Sequence, residues 1–338
     1  MGRIIRAVFL FITLLYSIAG NAQDHIYSQF FNSPLYLNPA LNGQFKGDLR
    51  FNIIYRNQWA SVPGVLRYLS ASIDYQIPNN GGGAGLLFNR SNEGTAYLQK
   101  NNLAAIYSYT VGGGDFNASL GIQGGFTNSR IDFSKLIFSD QIDPSTGYTE
   151  VPSEASQLNN NVYYFDAGAG VNFVIKNAMI GASMLHLNKP DESFTGSNVK
   201  VPVRSIVHAS YRFSLNKYES HEYDGTFLIP SVVVYNQAQI NSYSAGIQFK
   251  HQILNAGLWY RKNRTTGDAF VVSLIFDIFS PSRFNKLRLG ISHDATVSKI
   301  NYSNTGGTTE LSMGYETTFP NSDSDYNPYS GRKCYDFY

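Results

Sequence analysis

The sequence predicts an all-β fold, a transmembrane β-barrel of the outer-membrane type with about fourteen antiparallel strands. Three observations predict it. The chain opens with an export signal, apolar and polar residues alternate in segments of barrel-strand length, and long and short connections alternate between those segments. The composition agrees, because 24 Tyr, 23 Phe and 30 Gly accompany only 15% charged residues. No long hydrophobic block is present, as expected when only every second residue of a strand faces lipid.

Residues 1–22 are the predicted signal peptide. A basic start with Arg3 and Arg6 precedes the apolar run Ala7–Ile18, and the small residues of Gly20–Ala22 suit a signal peptidase. The run is shorter than the roughly 20 residues of a membrane-spanning helix, and no later stretch approaches that length. We therefore expect export, cleavage after residue 22, a mature chain that begins at Gln23, and no helical membrane anchor.

Residues 23–47 are predicted to form an N-terminal periplasmic or plug segment. The segment has no period of two, and turn-forming pairs at Asn38-Pro39 and Asn42-Gly43 interrupt its aromatic residues. This pattern indicates an ordered, extended segment that lies beside the sheet. Two interpretations stay open: a plug packed on the inner wall of the barrel, or a surface that docks a periplasmic partner. The candidate docking residues here are Tyr27, Phe30, Phe31, Tyr36, Asn38 and Pro39.

Residues 48–319 are the predicted barrel. In its first strand, Leu49, Phe51, Ile53 and Tyr55 alternate with polar side chains, which gives one apolar face and one wet face. The predicted strands have roughly the 9 to 11 residues that cross an outer membrane at a tilt. The others are Arg67–Ile77, Gly83–Asn92, Asn101–Val111, Phe116–Ile131, Val162–Ile175, Ala178–Leu187, Ser205–Leu215, Thr226–Asn236, Ser242–Ile253, Ala256–Arg264, Ala269–Ile278, Lys286–Asp294 and Thr308–Phe319.

The connections provide an independent check, because a bacterial barrel alternates long outer loops with short inner turns and starts in the periplasm. Most even-numbered connections are short turns, although the eighth, Asn216–Gly225, is longer than this pattern predicts, and the ninth, Gln237–Asn241, is short. The parity predicts that both termini lie on the periplasmic side. The long connections are the odd-numbered Asn57–Leu66, Ser91–Lys100, Asp132–Asn161, Asn188–Arg204, Lys262–Asp268 and Ala295–Gly307.

A soluble secreted β-sandwich is the alternative for the same pattern, since its strands also alternate and need turns at similar spacing. A single sandwich has about seven to nine strands and does not sort its loops by parity, so the barrel is favoured. Closing the sheet satisfies every strand edge, and lipid then covers the apolar outer face. Outer-membrane lipid is therefore the first predicted partner.

Residues 320–338 are the predicted periplasmic tail, which has no strand period. It is either a disordered end or a docking peptide, and its candidate docking residues are Tyr326, Tyr329, Tyr335, Phe337 and Tyr338. Cys334 is the only cysteine, which excludes an intrachain disulfide framework and any multi-cysteine metal site. No role is assigned to its thiol.

The motifs of an enzyme are missing. The six histidines lie on different predicted strands or loops, without an HExxH pair, and no GxSxG sequence supplies a nucleophile. The glycine-rich stretches Gly81–Gly85 and Gly112–Gly114 precede neither a helix nor a Lys-Ser/Thr pair, so they are hairpin turns rather than phosphate loops. The formal net charge of +2 gives no reason to expect nucleic acid. We expect no catalysis and no cofactor.

Charged residues on the predicted inner faces are of both signs. An open selective channel tends to carry rings of one sign, whereas mixed signs favour a salt-bridged, plugged lumen. A passive porin or small-solute transporter is the alternative. The candidate lumen charges are Arg50, Arg56, Asp74, Asp166, Arg212, Lys250, Arg261, Asp277, Arg288 and Glu316.

The fifth connection is the longest and contains the candidate surface-loop residues Asp140, Gln141 and Asp143. Its carboxylates, with Glu150, supply oxygen atoms of the kind that bind calcium, but they do not match the twelve-residue calcium-loop spacing. A solvated surface loop is therefore favoured over a metal site.

Two stretches resemble one known family. The segment QDHIYSQFFNSPLYLNPALNG, followed by a strand ending in YRNQW at Tyr55–Trp59, resembles the opening of the PorP/SprF family of the type IX secretion system. The stretch FSKLIFSDQID, Phe133–Asp143, resembles the loop after the fifth strand of that family. The resemblance spans the mature chain in its layout, but these two stretches are its specific parts.

The resemblance implies an outer-membrane barrel of the Bacteroidetes without catalytic residues. Such proteins are needed for the secretion or surface display of large adhesins, and for gliding in some members. The implied partners are a secreted adhesin, or its C-terminal domain, and periplasmic components of the type IX secretion system. We hypothesise that Asp24–Lys46 and the tail after Phe319 together form a periplasmic docking surface, while the fifth and seventh connections contact the cargo outside the cell.

Overall fold

A computed structural model describes residues 24–77, 81–95, 98–113, 115–149, 153, 160–216, 225–264, 266–280, 285–319 and 337. The predicted signal peptide and Gln23 lie outside the described residues. So does the predicted tail, apart from Phe337. Within the described ranges, no helix is long and apolar enough to span a membrane.

Fourteen strands close into one antiparallel barrel, which confirms the predicted fold. The sheet has 15 strands when Arg204–Tyr211 and Phe213–Ser214 are counted separately, but both pair with Thr226–Gln237 and act as one barrel strand. The barrel strands are β1 Leu49–Gln58, β2 Val65–Ile77, β3 Gly82–Gly94, β4 Leu98–Gly113, β5 Phe116–Arg130, β8 Asn161–Ile175, β9 Ala178–Leu185, β10 Arg204–Tyr211, β11 Phe213–Ser214, β12 Thr226–Gln237, β13 Ile240–His251, β14 Leu254–Asn263, β15 Gly267–Phe279, β16 Asn285–Thr296 and β17 Thr308–Thr317.

The barrel closes between its first and last strands. In this antiparallel pair, Leu49 lies opposite Thr317 at one end, and Gln58 lies opposite Thr308 at the other. We call the Leu49–Thr317 end the entry end, because the chain enters and leaves the sheet there, and the Gln58–Thr308 end the loop end. Closure leaves neither β1 nor β17 with a free edge, as a sheet surrounded by lipid requires.

Alternation along the strands separates a lipid face from a lumen face. In β2, Ser70, Ser72 and Asp74 are buried toward the lumen, whereas Ile73 and Tyr75 are exposed on the outside. Similar rows of exposed Leu, Ile, Val, Phe and Tyr surround the barrel. These side chains are exposed because lipid is the medium that covers them in a membrane.

The long connections gather at the loop end. The connection between β5 and β8 contains a small hairpin, β6 Ile142–Asp143 with β7 Gly147–Tyr148, and the connection between β16 and β17 contains a helical turn, Tyr302–Thr305. At the entry end, two-residue turns such as Lys176-Asn177 join neighbouring strands. The predicted Ser205–Leu215 strand is interrupted at Arg212, whose N–H donates to the carbonyl of Asn177 instead of to β12.

The N-terminal segment fills the lumen. It begins at the loop end, where the N–H of Asp24 donates to the side chain of Gln237, and it reaches the entry end where Gly43 lies against Gly83. Its short helical turns are Phe30–Asn32, Pro34–Leu37 and Pro39–Leu41. We call residues 24–45 the plug. The plug therefore runs the length of the lumen.

Apolar contacts hold the plug against the barrel wall, and glycines in the wall let it approach closely. Phe30 and Phe31 pack on Trp259 of β14, with ring centroids 5.1 and 5.8 Å from the indole. On the opposite wall, Pro39–Leu41 packs on β4, β5 and β8. A Cβ at Gly121 of β5 would lie 2.3 Å from the backbone of Pro39. Only glycine leaves room for this approach of plug to wall.

Candidate functional site

Near the loop end, a buried carboxylate holds the plug. The backbone N–H groups of Ser28 and Gln29 both donate to the carboxylate of Glu310 on β17, at 2.8 Å each. Arg56 of β1 forms an ion pair with the same carboxylate. Because the plug has no strand partner here, this carboxylate replaces the acceptors that a neighbouring strand would offer.

A second carboxylate extends this network to the neighbouring strands. Asp294 of β16 accepts a hydrogen bond of 2.6 Å from the hydroxyl of Ser28. It also pairs with Arg261 of β14 at 2.9 Å and with Arg56 at 3.3 Å. Two arginines and two carboxylates therefore surround Ser28, and Arg261 also pairs with Asp268 of β15, which makes the plug part of the charge network of the lumen.

The first residues of the plug are held by a separate set of charges at the loop end. His186, immediately after β9, lies 2.7 Å from the carboxylate of Asp24 and 2.9 Å from that of Asp166. Burial alone would lower the pKa of His186, but these two carboxylates outweigh it and raise the pKa to about 10. His186 is therefore a cation near neutral pH, and it joins the plug to β8.

Arg204, at the start of β10, holds the same part of the plug. Its guanidinium donates to the hydroxyl of Tyr36 at 2.8 Å and to the carbonyl of His25 at 3.2 Å. It also lies over the rings of Tyr36 and Tyr235, 4.7 and 5.2 Å from their centroids. Burying Arg204 in this way is tolerated because the planar guanidinium finds both acceptors and aromatic faces.

Two cavities flank the plug at the loop end. One, of about 370 Å³, lies against Arg56, Trp59 and Asp268, and the other, of about 110 Å³, lies against Lys100 and His186. Asp24 and His25 separate them, and the imidazole of His25 stacks between Tyr68 and Tyr36 with centroid distances of 4.1 and 5.1 Å. The plug thus narrows the lumen at this mouth and lies between two recesses.

At the entry end, a smaller set of charged residues also contacts the plug. Arg50 forms a two-point ion pair with Asp74, and the guanidinium also donates to the carbonyl of Leu41. The N–H of Gly43 donates to the same Asp74 at 2.9 Å. Charged side chains therefore contact the plug at the entry end as well as near the loop end.

The candidate lumen charges lie mostly inside the barrel and in ion pairs. Besides those described above, Arg288 pairs with Asp277 at 2.6 Å, and Glu316 pairs with Lys286 at 2.7 Å. Arg212 lies over the ring of Phe227, 3.9 Å from its centroid. Lys250 is half-buried on β13. Because residues of opposite sign lie next to each other, the described lumen residues form no ring of a single charge.

The candidate docking residues of the N-terminal segment, Tyr27, Phe30, Phe31, Tyr36, Asn38 and Pro39, are all buried in the lumen. In this conformation they face the barrel wall, and their part in docking a partner stays a prediction. Of the candidate residues in the tail, Phe337 is described and fully buried. The other four lie outside the described residues.

Local hydrogen bonds hold the side chains of the candidate surface-loop residues in place. Asp143 accepts hydrogen bonds from the hydroxyl of Ser145 and from the N–H groups of Ser145 and Thr146 in the β6–β7 turn, and these bonds lower its pKa to about 2. Asp140 accepts from the hydroxyl of Ser153 at 2.8 Å, and Gln141 is buried. Across the described part of the chain, no group of three or more His, Cys, Asp or Glu side chains forms a metal site.

The sequence did not predict the residues that fix the plug to the barrel wall. These are Ser28 of the plug and His186, Arg204, Asp294 and Glu310 of the wall. A signal was present for Glu310, because it lies on the inward row of β17 with the predicted lumen residue Glu316. His186 and Arg204 lie at strand ends, where alternation does not separate a lumen residue from a loop residue. Ser28 carries no signal of its own.

A closed antiparallel barrel with a lipid-facing apolar belt and a filled lumen defines an outer-membrane β-barrel protein. The Pseudomonas putida toluene transporter TodX shares this fold, with a TM-score of 0.50 and 12% identity over 86% of this chain and 95% of that one. The Acinetobacter baumannii protein Omp33 is a more distant barrel, with a TM-score of 0.41 and 6% identity over 81% of this chain and 100% of that one. No curated protein matches the sequence.

The family match identifies the protein more specifically than the fold does. The family described as type IX secretion system membrane protein PorP/SprF matches residues 19–315, which include the plug and nearly all of the barrel. The chain belongs to this family and is a membrane component of type IX secretion. The resemblance of the two stretches at Gln23–Gly43 and Phe133–Asp143 is thereby confirmed at the level of the family.

Proposed function

We propose that this barrel supports the secretion and cell-surface anchoring of a large adhesin or another cargo, with its loop end outside the cell. Family membership supports a role in secretion rather than in metabolism. Long loops face outward in bacterial barrels, which supports the orientation. The observation that carries the proposal is a lumen filled from end to end by the plug, because a barrel closed in this way acts through its surfaces.

The loop end offers a fixed surface for cargo. Glu192, in the connection between β9 and β10, pairs with Lys100 of β4 at 2.7 Å and accepts a hydrogen bond from Ser129 of β5. This connection is therefore tied to the barrel wall. Beside it, the hairpin β6–β7 presents Ile142 and Tyr148 as an exposed cross-strand pair. Exposed apolar side chains on an ordered loop are the kind of surface that a protein partner covers.

The test replaces Ile142 and Tyr148 with serine in the cell. We expect the barrel to assemble normally while type IX cargo moves from the cell surface to the medium, measured by surface labelling and by mass spectrometry of both fractions. The matched control is Ile253→Ser, an equally exposed residue in the turn between β13 and β14 at the entry end. If cargo stays on the surface of the double variant as in the wild type, the proposed contact is wrong.

On the periplasmic side, the tail is the candidate contact with components of the secretion system. Deleting residues 321–338 is expected to leave an assembled barrel that no longer co-purifies with those components. Unchanged co-purification would remove the tail from the proposal.

Passive transport is the competing function. The plug argues against it, since it runs through the lumen from the loop end to the entry end. We expect the purified protein to give little conductance in planar bilayers. Large, stable single-channel steps would instead favour a porin.

A further inference from the structure

The smaller cavity at the loop end lies between the plug and the wall that β3, β4, β5 and β8 form. Its lining begins at the mouth, where Glu93 and Leu98 lie opposite each other as the outermost pair of β3 and β4. It reaches Gln123, which is in the middle of β5. We call this cavity the small recess. It extends from the mouth to half the depth of the wall.

The side chains inside the small recess offer more hydrogen-bond acceptors than donors. Oδ1 of Asn89, Oε1 of Gln123 and Oδ1 of Asp166 all lack a hydrogen-bond partner, whereas the amide nitrogen of Asn89 is directed to Asn102. Asp166 is only 5% exposed, so bulk solvent does not satisfy its carboxylate. Nε2 of His25 is also unpartnered, and an imidazole nitrogen accepts a hydrogen bond when the ring is neutral. A ligand that fits here must therefore be a donor.

Carboxylates also outnumber cations around the small recess. Each of its cations already has a carboxylate within 4 Å: Lys100 pairs with Glu192, His186 with Asp24 and Asp166, and Arg204 with Asp24. Glu93 lines both cavities and forms no ion pair or hydrogen bond with any residue in the described ranges. Four carboxylates thus face three cations, which leaves one negative charge for a ligand to balance. The carboxylates are Asp24, Glu93, Asp166 and Glu192, and the cations are Lys100, His186 and Arg204.

The rest of the lining suits a short carbon chain. Leu87, Leu98 and Leu185 contribute aliphatic surface, and Tyr36 and His25 contribute rings. Leu98 begins β4 and Leu185 ends β9, so both lie closer to the mouth than the unpartnered oxygens do. The small recess encloses about 110 Å³. An apolar cavity of roughly 150 Å³ binds benzene, so this volume suits an unbranched chain of a few heavy atoms.

We propose that the small recess binds a primary alkylammonium group, carried by a lysine side chain of a protein at the loop end or by a free alkylamine. An ammonium group has three N–H donors, accepts no hydrogen bond and carries one positive charge, which matches the surplus of acceptors and the unpaired carboxylate. Its carbon chain lies along the leucines near the mouth. This inference does not depend on the proposed role in secretion, because it concerns only the chemistry of the ligand.

Photolabelling of the full-length protein in detergent tests the proposal, with a pentylamine that carries a diazirine in its chain as the probe. We expect mass spectrometry to find the label on lumen-facing residues near Asn89 and Asn102. Unmodified n-pentylamine should compete with the probe, and 1-pentanol should not, because the alcohol lacks the charge. Equal competition by the alcohol would overturn the proposal.

Glu93→Gln tests the role of the unpaired carboxylate. Labelling at these residues should fall roughly tenfold or more, because the ammonium loses its charged partner. The fold should be unaffected, since Glu93 forms no ion pair in the wild type. Glu316→Gln is the matched control, which removes a carboxylate at the entry end and should label like the wild type. Equal labelling of Glu93→Gln and the wild type would overturn the proposal.

A second variant fills the small recess and retains its charges. Leu98→Trp, at the mouth, should reduce the labelling of folded protein as strongly as Glu93→Gln does, and undiminished labelling would overturn the proposed position of the carbon chain. Nα-acetyl-lysine methylamide then separates the two sources of the ammonium group. Competition as strong as that of n-pentylamine supports a lysine side chain, and competition by n-pentylamine alone supports a free alkylamine. If neither competes with the probe, no alkylammonium site exists here.

Discussion

Replacing Glu310 with glutamine should release the plug without dismantling the barrel. The carboxylate accepts the N–H groups of Ser28 and Gln29 and pairs with Arg56. Glutamine retains one oxygen, so one plug N–H loses its acceptor, the other exchanges a charged acceptor for a neutral one, and Arg56 keeps a single carboxylate. Breaking a buried charge pair of this kind costs about 3–5 kcal/mol, and the barrel hydrogen bonds of β17 are unaffected.

Limited chymotrypsin digestion measures plug release, because the segment contains Tyr27, Phe30, Phe31 and Tyr36 and is buried in the wild type. Mass spectrometry of the fragments should find cuts within residues 27–36 in Glu310→Gln at protease concentrations that leave the wild type intact. Urea unfolding from liposomes measures the stability of the whole barrel in parallel.

Glu316→Gln is the matched control. It lies on the same face of β17, but its carboxylate pairs with Lys286 near the entry end and accepts no hydrogen bond from the described plug residues. We expect a loss of about 1 kcal/mol or less and no new cleavage in the plug. Equal protection of the plug in Glu310→Gln and in the control would refute the reasoning that this carboxylate holds it.

Two further predictions concern the ends of the plug. The pKa of His186 is raised to about 10, so its ion pair with Asp24 should stabilise the folded protein fully below about pH 6.5 and lose that contribution as the pH rises through about 10. His186→Asn should flatten the dependence of Tm on pH between those values, and an unchanged slope would contradict the assignment. Gly121→Ala places a Cβ 2.3 Å from Pro39 and should cost about 1–3 kcal/mol in urea unfolding, whereas Gly124→Ala, three residues away with its nearest contact at 3.4 Å, should be nearly neutral. Equal losses in the two glycine variants would show that the effect is one of strand propensity and not of plug packing.

The barrel itself follows from local sequence. Alternation with a period of two fixes which residues of β2 face lipid and which face the lumen, and this needs no knowledge of the neighbouring strands. Strand bounds were less accurate, since β4 runs Leu98–Gly113 where the sequence predicts Asn101–Val111. The barrel strand that contains Arg212 is interrupted, and alternation alone did not indicate this because Arg212 fits the polar row.

The sequence predicted only part of the candidate site. The sequence indicated lumen charges of mixed sign, and it indicated an aromatic segment outside the sheet that was either a plug or a docking surface. It did not indicate that this segment crosses the whole lumen, with Asp24 at the opposite end from Thr317. Parity of the strands places the start of β1, but it says nothing about the path of residues that precede a strand.

The sequence by itself therefore determined the class of protein, the two faces of the wall, and the family, because each depends on neighbours in the chain or on short stretches of residues. Only the tertiary structure decided which charges meet. Ser28 and Glu310 are 282 residues apart, and they become partners when β1 and β17 close the sheet around the plug. Phe337, Phe30 and Trp259 likewise share one buried cluster although they are far apart in the sequence.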